Sequence, residues 1–173
     1  MKTLLAYGSK YGATQSCMTS LSEFLEGEVE IINLKEHFPE LEQYEKVIIA
    51  TPVYAGDVPK YVKKFAETYN TTLLQKTFGI CFCCMTEREN LLLGYALNNF
   101  SKELVEHIHT MKCIGGTFQY KKMTSMEKMM LKLMTKNKAY KNGELILLDG
   151  KEDFTTITEQ KIKIFADEMN ICS

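Results

Sequence analysis

The feature that most constrains the fold is an alternation of short apolar runs with longer amphipathic stretches. The apolar runs are mostly continuous along the chain, which is typical of strands buried on both faces. Five such runs span residues 2–7, 28–33, 46–50, 77–84 and 111–117. Because strands of this kind occur in parallel sheets covered by helices, the pattern predicts an α/β fold.

The stretches between the runs have the periodicity of helices. Apolar residues recur every three to four positions in residues 13–26, 59–69, 89–107 and 158–169. The segment 39–44 predicts only a short connection with one helical turn. We therefore expect a three-layer α/β/α sandwich with a five-stranded parallel sheet, folded as a single domain over residues 1–173. In such sheets ligands bind at the carboxyl ends of the strands, so the segments after the strands are the candidate sites.

The cysteines and the hydropathy indicate a reducing compartment. The chain has six cysteines, but its first residues lack an apolar stretch long enough for a signal peptide. No run of about 18 apolar residues is present, so we expect a cytoplasmic protein. Cys81 and Cys84 lie on one predicted strand, where their Cα atoms would be about 10 Å apart, beyond disulfide reach. We interpret them as core cysteines.

The loop after the first strand has the composition of an anion site. Gly8 to Thr14 contains two glycines, three hydroxyls and one lysine, and it leads directly into a helix. Glycine allows a tight turn, and the N–H groups at a helix N-terminus attract negative charge. The spacing excludes a P-loop, because Ala13 follows Gly12, and a dinucleotide fingerprint, because Lys10 replaces its second glycine. A single phosphate held by hydroxyls and amides remains, beside the alternative that the hydroxyls only cap the helix.

This loop resembles the phosphate loop of the flavodoxin family, which has the form [ST]-x-[TY]-G-x-T. Ser9, Tyr11, Gly12 and Thr14 match every fixed position. The resemblance implies the flavodoxin fold and FMN as cofactor. It further implies that FMN is bound by three loops, after strands one, three and four: Ser9, Lys10, Tyr11, Gly12, Ala13, Thr14; Thr51, Pro52, Val53, Tyr54, Ala55, Gly56; Cys83, Cys84, Met85.

Within the second loop, the resemblance implies that an aromatic residue covers the isoalloxazine ring, beside the alternative that Tyr54 is a surface or packing residue of a turn. An aromatic ring such as that of Tyr54 stacks on a flat flavin, and Gly56 allows close approach of the backbone to the ring. Arg88, the one arginine of the chain, lies just beyond the third loop. Its guanidinium is a candidate partner for an anionic substrate group, beside the alternative of a solvated charge that begins a helix.

The net charge of −1 hides a strong asymmetry. Residues 110–141 hold eight lysines and one acidic residue, a net charge of +7, which leaves −8 on the rest of the chain. Within this region, residues 121–136 predict a basic amphipathic helix with methionines on one face and lysines on the other. Three interpretations remain open: packing of the methionine face on the domain, binding to a membrane surface, or contact with a partner.

The region after the fifth strand also resembles one group within the family, the flavodoxin-like menaquinone-dependent protoporphyrinogen IX dehydrogenases of heme biosynthesis. Gly115 to Tyr120 and the basic helix after it, an insert at about 121–141, match their arrangement. The chain departs from them in having lysines rather than arginines here and no tryptophan. The candidate substrate contacts are Arg88, Phe118, Tyr120, Lys121 and Lys122.

The resemblance implies an FMN-dependent oxidoreductase that oxidises protoporphyrinogen IX with a quinone as acceptor. The expected partners are a redox donor and an acceptor, either a quinone or another redox protein, with peripheral association to the inner face of the cell membrane through residues 121–136. The alternatives are a flavodoxin that only carries electrons and an NAD(P)H-dependent FMN or quinone reductase. We find no spacing typical of metal ligands and, apart from the lysine count, no nucleic-acid signature.

Overall fold

The computed structural model describes residues 1–9, 13–54, 56–126, 128–129 and 153–171. It divides into two compact units. The first comprises Met1–Gly116 and Thr156–Ser173, and the second comprises Thr117–Thr155.

The first unit is built on a parallel sheet in the order β2-β1-β3-β4-β5. Its strands are β1 (Lys2–Tyr7), β2 (Glu28–Asn33), β3 (Lys46–Pro52), β4 (Thr77–Cys83) and β5 (Thr110–Cys113). The register places Leu5 of β1 beside Ile31 of β2 and Ile48 of β3. The predicted five-stranded parallel sheet is confirmed. Because the chain moves outward in opposite directions from β1 and β3, their carboxyl ends flank the crevice where such sheets bind ligands.

Helices cover both faces of this sheet. They are α1 (Ala13–Phe24), α2 (Lys60–Thr68), α3 (Asn70–Leu73), α4 (Glu89–Asn99), α5 (Lys102–His107) and α6 (Glu159–Asn170). On one face, Val47 and Ile49 of β3 pack in a cluster with residues of α2 to α5. On the other, Ile48 packs in a second cluster with residues of α1 and α6. The predicted three layers follow from this alternation of buried side chains along β3.

One predicted helix is two helices in the structure. The expected helix over 89–107 ends at Asn99, where Phe100 has an extended backbone, and a new helix starts after Ser101. The Ser101 hydroxyl accepts a hydrogen bond from the Leu104 N–H at 3.2 Å, a normal N-cap. The segment 39–44, expected to hold one helical turn, contains turns without a helix.

The predicted fifth strand is too long. β5 ends at Cys113, and Gly115 follows with a φ of 101°, a conformation that interrupts a strand and favours glycine. A Cβ at Gly115 would lie 2.4 Å from the Thr156 carbonyl oxygen, so the two chain segments approach closely here. Residues 117–118 instead belong to the second unit.

The second unit contains a short antiparallel pair and a helical segment. β6 (Thr117–Phe118) pairs with β7 (Phe154–Thr155), and a 3-10 helix spans Tyr120–Lys122. Ser125, Met126, Lys128 and Met129 are helical, as predicted for the basic helix. The predicted start at 121 is too early, because Lys121 and Lys122 belong to the 3-10 helix and Met123 and Thr124 are not helical. The rest of that helix, from 130 to 136, lies outside the described residues. In the part of the chain that is described, no helix is long and apolar enough to cross a membrane.

Candidate functional site

The first strand leads into the predicted phosphate loop through a glycine that is tightly packed. The Gly8 N–H donates to the Ala50 carbonyl of β3 at 2.9 Å. A Cβ at Gly8 would lie 2.8 Å from Cγ2 of Val62 and 3.1 Å from the Tyr61 ring, both on α2. The Tyr61 hydroxyl hydrogen-bonds to the backbone of Ser9, and burial of the ring raises the pKa of Tyr61. α2 therefore holds the beginning of the loop in place.

The end of the same loop contacts the loop after β4. Thr14 lies in the first turn of α1, is 3% exposed, and its side chain hydrogen-bonds to the Cys83 thiol. Thus two segments that the sequence assigned to one site do meet in the structure. Lys10, Tyr11 and Gly12 lie outside the described residues, as does the side chain of Ala13, and their predicted roles stay predictions.

The loop after β3 forms a tight turn at the carboxyl edge of the sheet. Tyr54 and Asp57 exchange backbone hydrogen bonds of 2.8 and 3.0 Å around this turn. Gly56 has a φ of 90°, which a side chain would strain. The Tyr54 side chain is 45% exposed, whereas Thr51 and Pro52 are buried in β3 and Val53 is half-buried. Ala55 is not among the described residues.

A buried asparagine that the sequence analysis missed fixes this turn. Asn99, at the end of α4, is 6% exposed. Its side-chain carbonyl accepts from the Val58 N–H at 3.1 Å, and its amide donates to the Gly56 carbonyl at 2.9 Å and the Tyr95 carbonyl at 2.7 Å. One side chain thus ties the Tyr54 turn to α4. The sequence offers no signal for it, because an asparagine near a helix end is ordinary.

The loops after β4 and β5 touch each other through two thiols. Sγ of Cys84 lies 3.6 Å from Sγ of Cys113, and both residues are buried. A Cβ at Gly116 would lie 2.9 Å from the carbonyl carbon of Cys84. Met85 is half-buried, and its sulfur lies 3.5 Å from the Thr156 hydroxyl.

The two thiols affect each other's proton affinity. The hydrogen bond from Cys84 to Cys113 lowers the pKa of Cys113, with help from the Gly115 N–H, which donates to its sulfur at 3.3 Å. The same hydrogen bond, together with burial, raises the pKa of Cys84. The pair therefore loses its first proton at Cys113.

The predicted substrate residues are in two places. Arg88 is exposed in the first unit and precedes the first turn of α4, and the Thr86 hydroxyl accepts a hydrogen bond from its N–H at 3.3 Å. Phe118, Tyr120, Lys121 and Lys122 belong to the second unit. There Lys121 and Lys122 are exposed, and Nζ of Lys128 lies 4.8 Å from the centre of the Tyr120 ring. Their roles toward a substrate stay predictions.

Comparison with solved structures finds flavodoxin-like proteins. An oxidoreductase from Corynebacterium diphtheriae is 18% identical, with a TM-score of 0.53 over 99% of this chain and 96% of that chain. The flavodoxin WrbA-like protein from Agrobacterium tumefaciens is 17% identical, with a TM-score of 0.50 over 98% and 96%. Fusobacterium nucleatum flavodoxin bound to flavin mononucleotide is 14% identical, with a TM-score of 0.44 over 64% of this chain and 68% of that chain.

The sequence comparisons give the family. No curated protein matches the chain. The flavodoxin domain family matches residues 4–143, which include most of β1, all of β2 to β5 and the three candidate loops. The sequence resemblance to flavodoxins at the first loop and the strand order of the structure agree with this match. The chain belongs to the flavodoxin domain family.

Proposed function

We propose that the chain binds FMN at the carboxyl edge of its sheet and acts as a redox protein that exchanges electrons with a donor and an acceptor. The observation that supports this most is the contact of the first and third predicted loops, Thr14 with Cys83, in a chain of the flavodoxin domain family whose sheet has its crevice between β1 and β3. FMN supplies the electron transfer, and the protein supplies binding, orientation and electrostatics.

The described residues fit a flavin nucleotide. α1 begins at Ala13, near the end of the first loop, so the N–H groups of its first turn, which have no partner within a helix, and its dipole favour a phosphate there. Tyr54 presents a ring that is 45% exposed, as stacking on a flat cofactor requires. Gly56 lacks a side chain at the turn beside it, where the backbone would approach the ring edge.

Each of these groups has a distinct task in the proposed site. Ser9 and the first turn of α1 hold the phosphate, and the Tyr54 ring covers one face of the flavin and excludes water from it. Asn99 holds the turn that carries Tyr54, since it hydrogen-bonds on both sides of Asp57. Cys83 at the end of β4, and Cys84 and Met85 after it, border the proposed site. Cys84 is buried and the other two are half-buried, so their sulfur atoms give a weakly polar surrounding.

The finer proposal is an FMN-dependent oxidoreductase that takes electrons from protoporphyrinogen IX two at a time and passes each pair to a quinone. Three quinones then accept the six electrons and six protons that are lost when the porphyrinogen becomes protoporphyrin IX. The exposed residues Lys121 and Lys122, which follow Tyr120 in the chain, match the carboxylates and the flat ring system of such a substrate. The net charge of +7 over residues 110–141 also favours an anionic substrate over the basic partners of an acidic electron carrier.

The exposed methionines support membrane association of the second unit. Met126 is 70% exposed and Met129 is 58% exposed, so the described start of the basic helix does not bury its methionines. Apolar side chains beside lysines are the composition of helices that lie in a membrane interface. We therefore favour a membrane surface over packing on the domain for this segment.

The activity is tested with FMN-loaded protein, protoporphyrinogen IX and a quinone under anaerobic conditions, and porphyrin fluorescence is followed. We expect fluorescence to rise only when the quinone is present. Lys121→Glu/Lys122→Glu should raise KM, whereas Lys35→Glu/Lys163→Glu, with the same charge change on exposed residues of the first unit, should not. Rapid bleaching of the flavin by NADPH without porphyrinogen turnover would instead support a reductase. If neither NADPH nor protoporphyrinogen IX reacted with the FMN-loaded protein, the result would support an electron carrier.

Membrane association has a separate test. Sedimentation with anionic phosphatidylserine liposomes should fall for Met126→Ser/Met129→Ser and for Lys121→Glu/Lys122→Glu, and should be unchanged for the Lys35→Glu/Lys163→Glu control. Equal sedimentation of all variants would contradict the proposed membrane surface.

A further inference from the structure

Cys83 is the last residue of β4 and Cys84 follows it, and each meets the thiol of another element. Neighbouring side chains on a strand point to opposite faces of the sheet. Cys83 accordingly hydrogen-bonds to Cys17 of α1 on one face, and Cys84 contacts Cys113 of β5 on the other. The contact across β4 and β5 follows from the register, in which Phe82 is paired with Cys113.

The Cys84 and Cys113 sulfurs are positioned for a covalent bond. They are 3.6 Å apart, so a disulfide requires them to approach by roughly 1.5 Å. The Cys113 thiol also donates a hydrogen bond to the Cys84 carbonyl oxygen at 3.1 Å, and the Gly115 N–H donates to the Cys113 sulfur at 3.3 Å. Cys113 is the last residue of β5 and Cys84 lies just after β4, so neither thiol is in the middle of a strand.

The pair also has limited access to small molecules. Cys84 is 9% exposed and Cys113 is 7% exposed, whereas Cys81, in the middle of β4, is fully buried. A reagent about the size of two water molecules, such as hydrogen peroxide, needs only a small opening.

We propose that Cys84 and Cys113 form a redox-active dithiol that hydrogen peroxide converts to an intramolecular disulfide. The Cys113 thiolate attacks one peroxide oxygen, the O–O bond breaks, and hydroxide leaves, which gives a sulfenic acid at Cys113. The Cys84 sulfur then attacks Sγ of Cys113, the S–O bond breaks, and the Cys84 proton leaves with the hydroxyl as water. Two thiols lose two electrons, one peroxide gains them, and two waters form.

The protonation of the pair favours this order of steps. The pKa of Cys113 is lowered by the hydrogen bond from Cys84, so Cys113 is the thiolate that attacks the peroxide. Cys84 keeps its proton and acts as the resolving thiol. At the other pair, the hydrogen bond to Cys83, together with burial, raises the pKa of Cys17, so the same reaction is not expected to begin there.

The test is peptide mapping of the full chain, run without FMN so that its outcome is independent of cofactor binding. After peroxide treatment and alkylation of the remaining thiols, tryptic cleavage places Cys84 in residues 77–88 and Cys113 in residues 113–121. We expect these two peptides to be joined, with a mass two hydrogens below their sum, and to separate on reduction with dithiothreitol.

Variants assign the bond to one thiol of the first peptide, which also holds Cys81 and Cys83. Cys83→Ser and Cys81→Ser should keep the joined peptides, whereas Cys84→Ser and Cys113→Ser should lose them. The proposal is overturned if the wild-type peptides stay separate while glutathione in the same tube is fully oxidised. It is also overturned if Cys84→Ser still yields the joined pair. The wild-type result decides the matter even if a serine variant fails to fold.

Discussion

The replacement Asn99→Ala should loosen the turn that carries Tyr54. The variant removes three hydrogen bonds, from Val58 N–H and to the carbonyls of Gly56 and Tyr95. The Val58 N–H would then be buried without a partner, because Val58 is only 4% exposed. A buried donor left unpaired costs about 1–3 kcal/mol, and a typical net hydrogen bond contributes about 1 kcal/mol. We expect a loss of roughly 2–4 kcal/mol in the free energy of unfolding.

The matched control is Asn98→Ala on the same helix. Asn98 is exposed, and the substitution has the same intrinsic helix propensity change, which slightly favours alanine. Urea unfolding of both variants without FMN isolates the effect of the buried side chain. FMN titration should also show weaker binding for Asn99→Ala, since the flavin would have to order the turn. Each 1.4 kcal/mol of that ordering cost lowers the affinity tenfold.

The reasoning is refuted if Asn99→Ala and Asn98→Ala unfold within about 0.5 kcal/mol of each other, the usual range for surface substitutions. The proposed role of Asn99 in positioning the Tyr54 turn for FMN is refuted if Asn99→Ala is destabilised but binds FMN as tightly as the wild-type protein. In that case Asn99 would stabilise the fold without positioning the turn.

Three further predictions concern packing, acid stability and thiol reactivity. Gly79→Ala should lower the free energy of unfolding by roughly 1–2 kcal/mol, because the new Cβ would lie 2.7 Å from Sδ of the buried Met169. Gly94→Ala, which has open space around it, should raise the free energy of unfolding by about 0.5–1 kcal/mol. Urea unfolding compares the two variants. The hydrogen bond from Lys2 to Glu30 lowers the pKa of Glu30, so its contribution to stability is present above about pH 4 and is lost as the pH falls through the lowered pKa. Lys2→Met should therefore lose less stability on acidification than the wild-type protein. An equal loss in both proteins would contradict this. The rate at which peroxide joins Cys84 to Cys113 should rise with pH, because the attacking group is a thiolate. Since the pKa of Cys113 is lowered, the rate should reach half its maximum below about pH 8.5, the ordinary pKa of a cysteine. A midpoint above about pH 8.5 would exclude Cys113 as the attacking thiolate.

The sheet could be predicted because a strand that is buried on both faces is apolar along most of its length, and this is visible in the local sequence. The central strands β1, β3 and β4 are largely apolar and buried, and the edge strands β2 and β5 retain some apolar residues, so all five were located to within a few residues. The break at Ser101 was missed because Phe100 continues the apolar pattern of the helix before it, and a single N-cap is a weaker signal than periodicity. The end of β5 was missed because Ile114 is apolar and the strand is interrupted by the backbone at Gly115.

The residues of the candidate site also fall into two groups, those that a local sequence pattern identifies and those that only the packing of distant elements brings together. Ser9, Thr14 and Tyr54 lie in loops whose spacing is local, so the sequence located them. Asn99 is 43 residues from Gly56, and its role depends on where α4 packs. The contact of Cys84 with Cys113 likewise depends on the register of β4 and β5, which no local pattern specifies.

The most direct test of the central claim is FMN titration of the flavin-free chain, followed by the quenching of flavin fluorescence. We predict saturation at one FMN per chain, and a rise in melting temperature that grows with FMN concentration, since a ligand that binds only the folded state stabilises it. Tyr54→Ala should keep the binding but quench the fluorescence less, because the stacked ring is absent. No quenching and no change in melting temperature at saturating FMN would contradict the proposal that this flavodoxin domain is a flavoprotein.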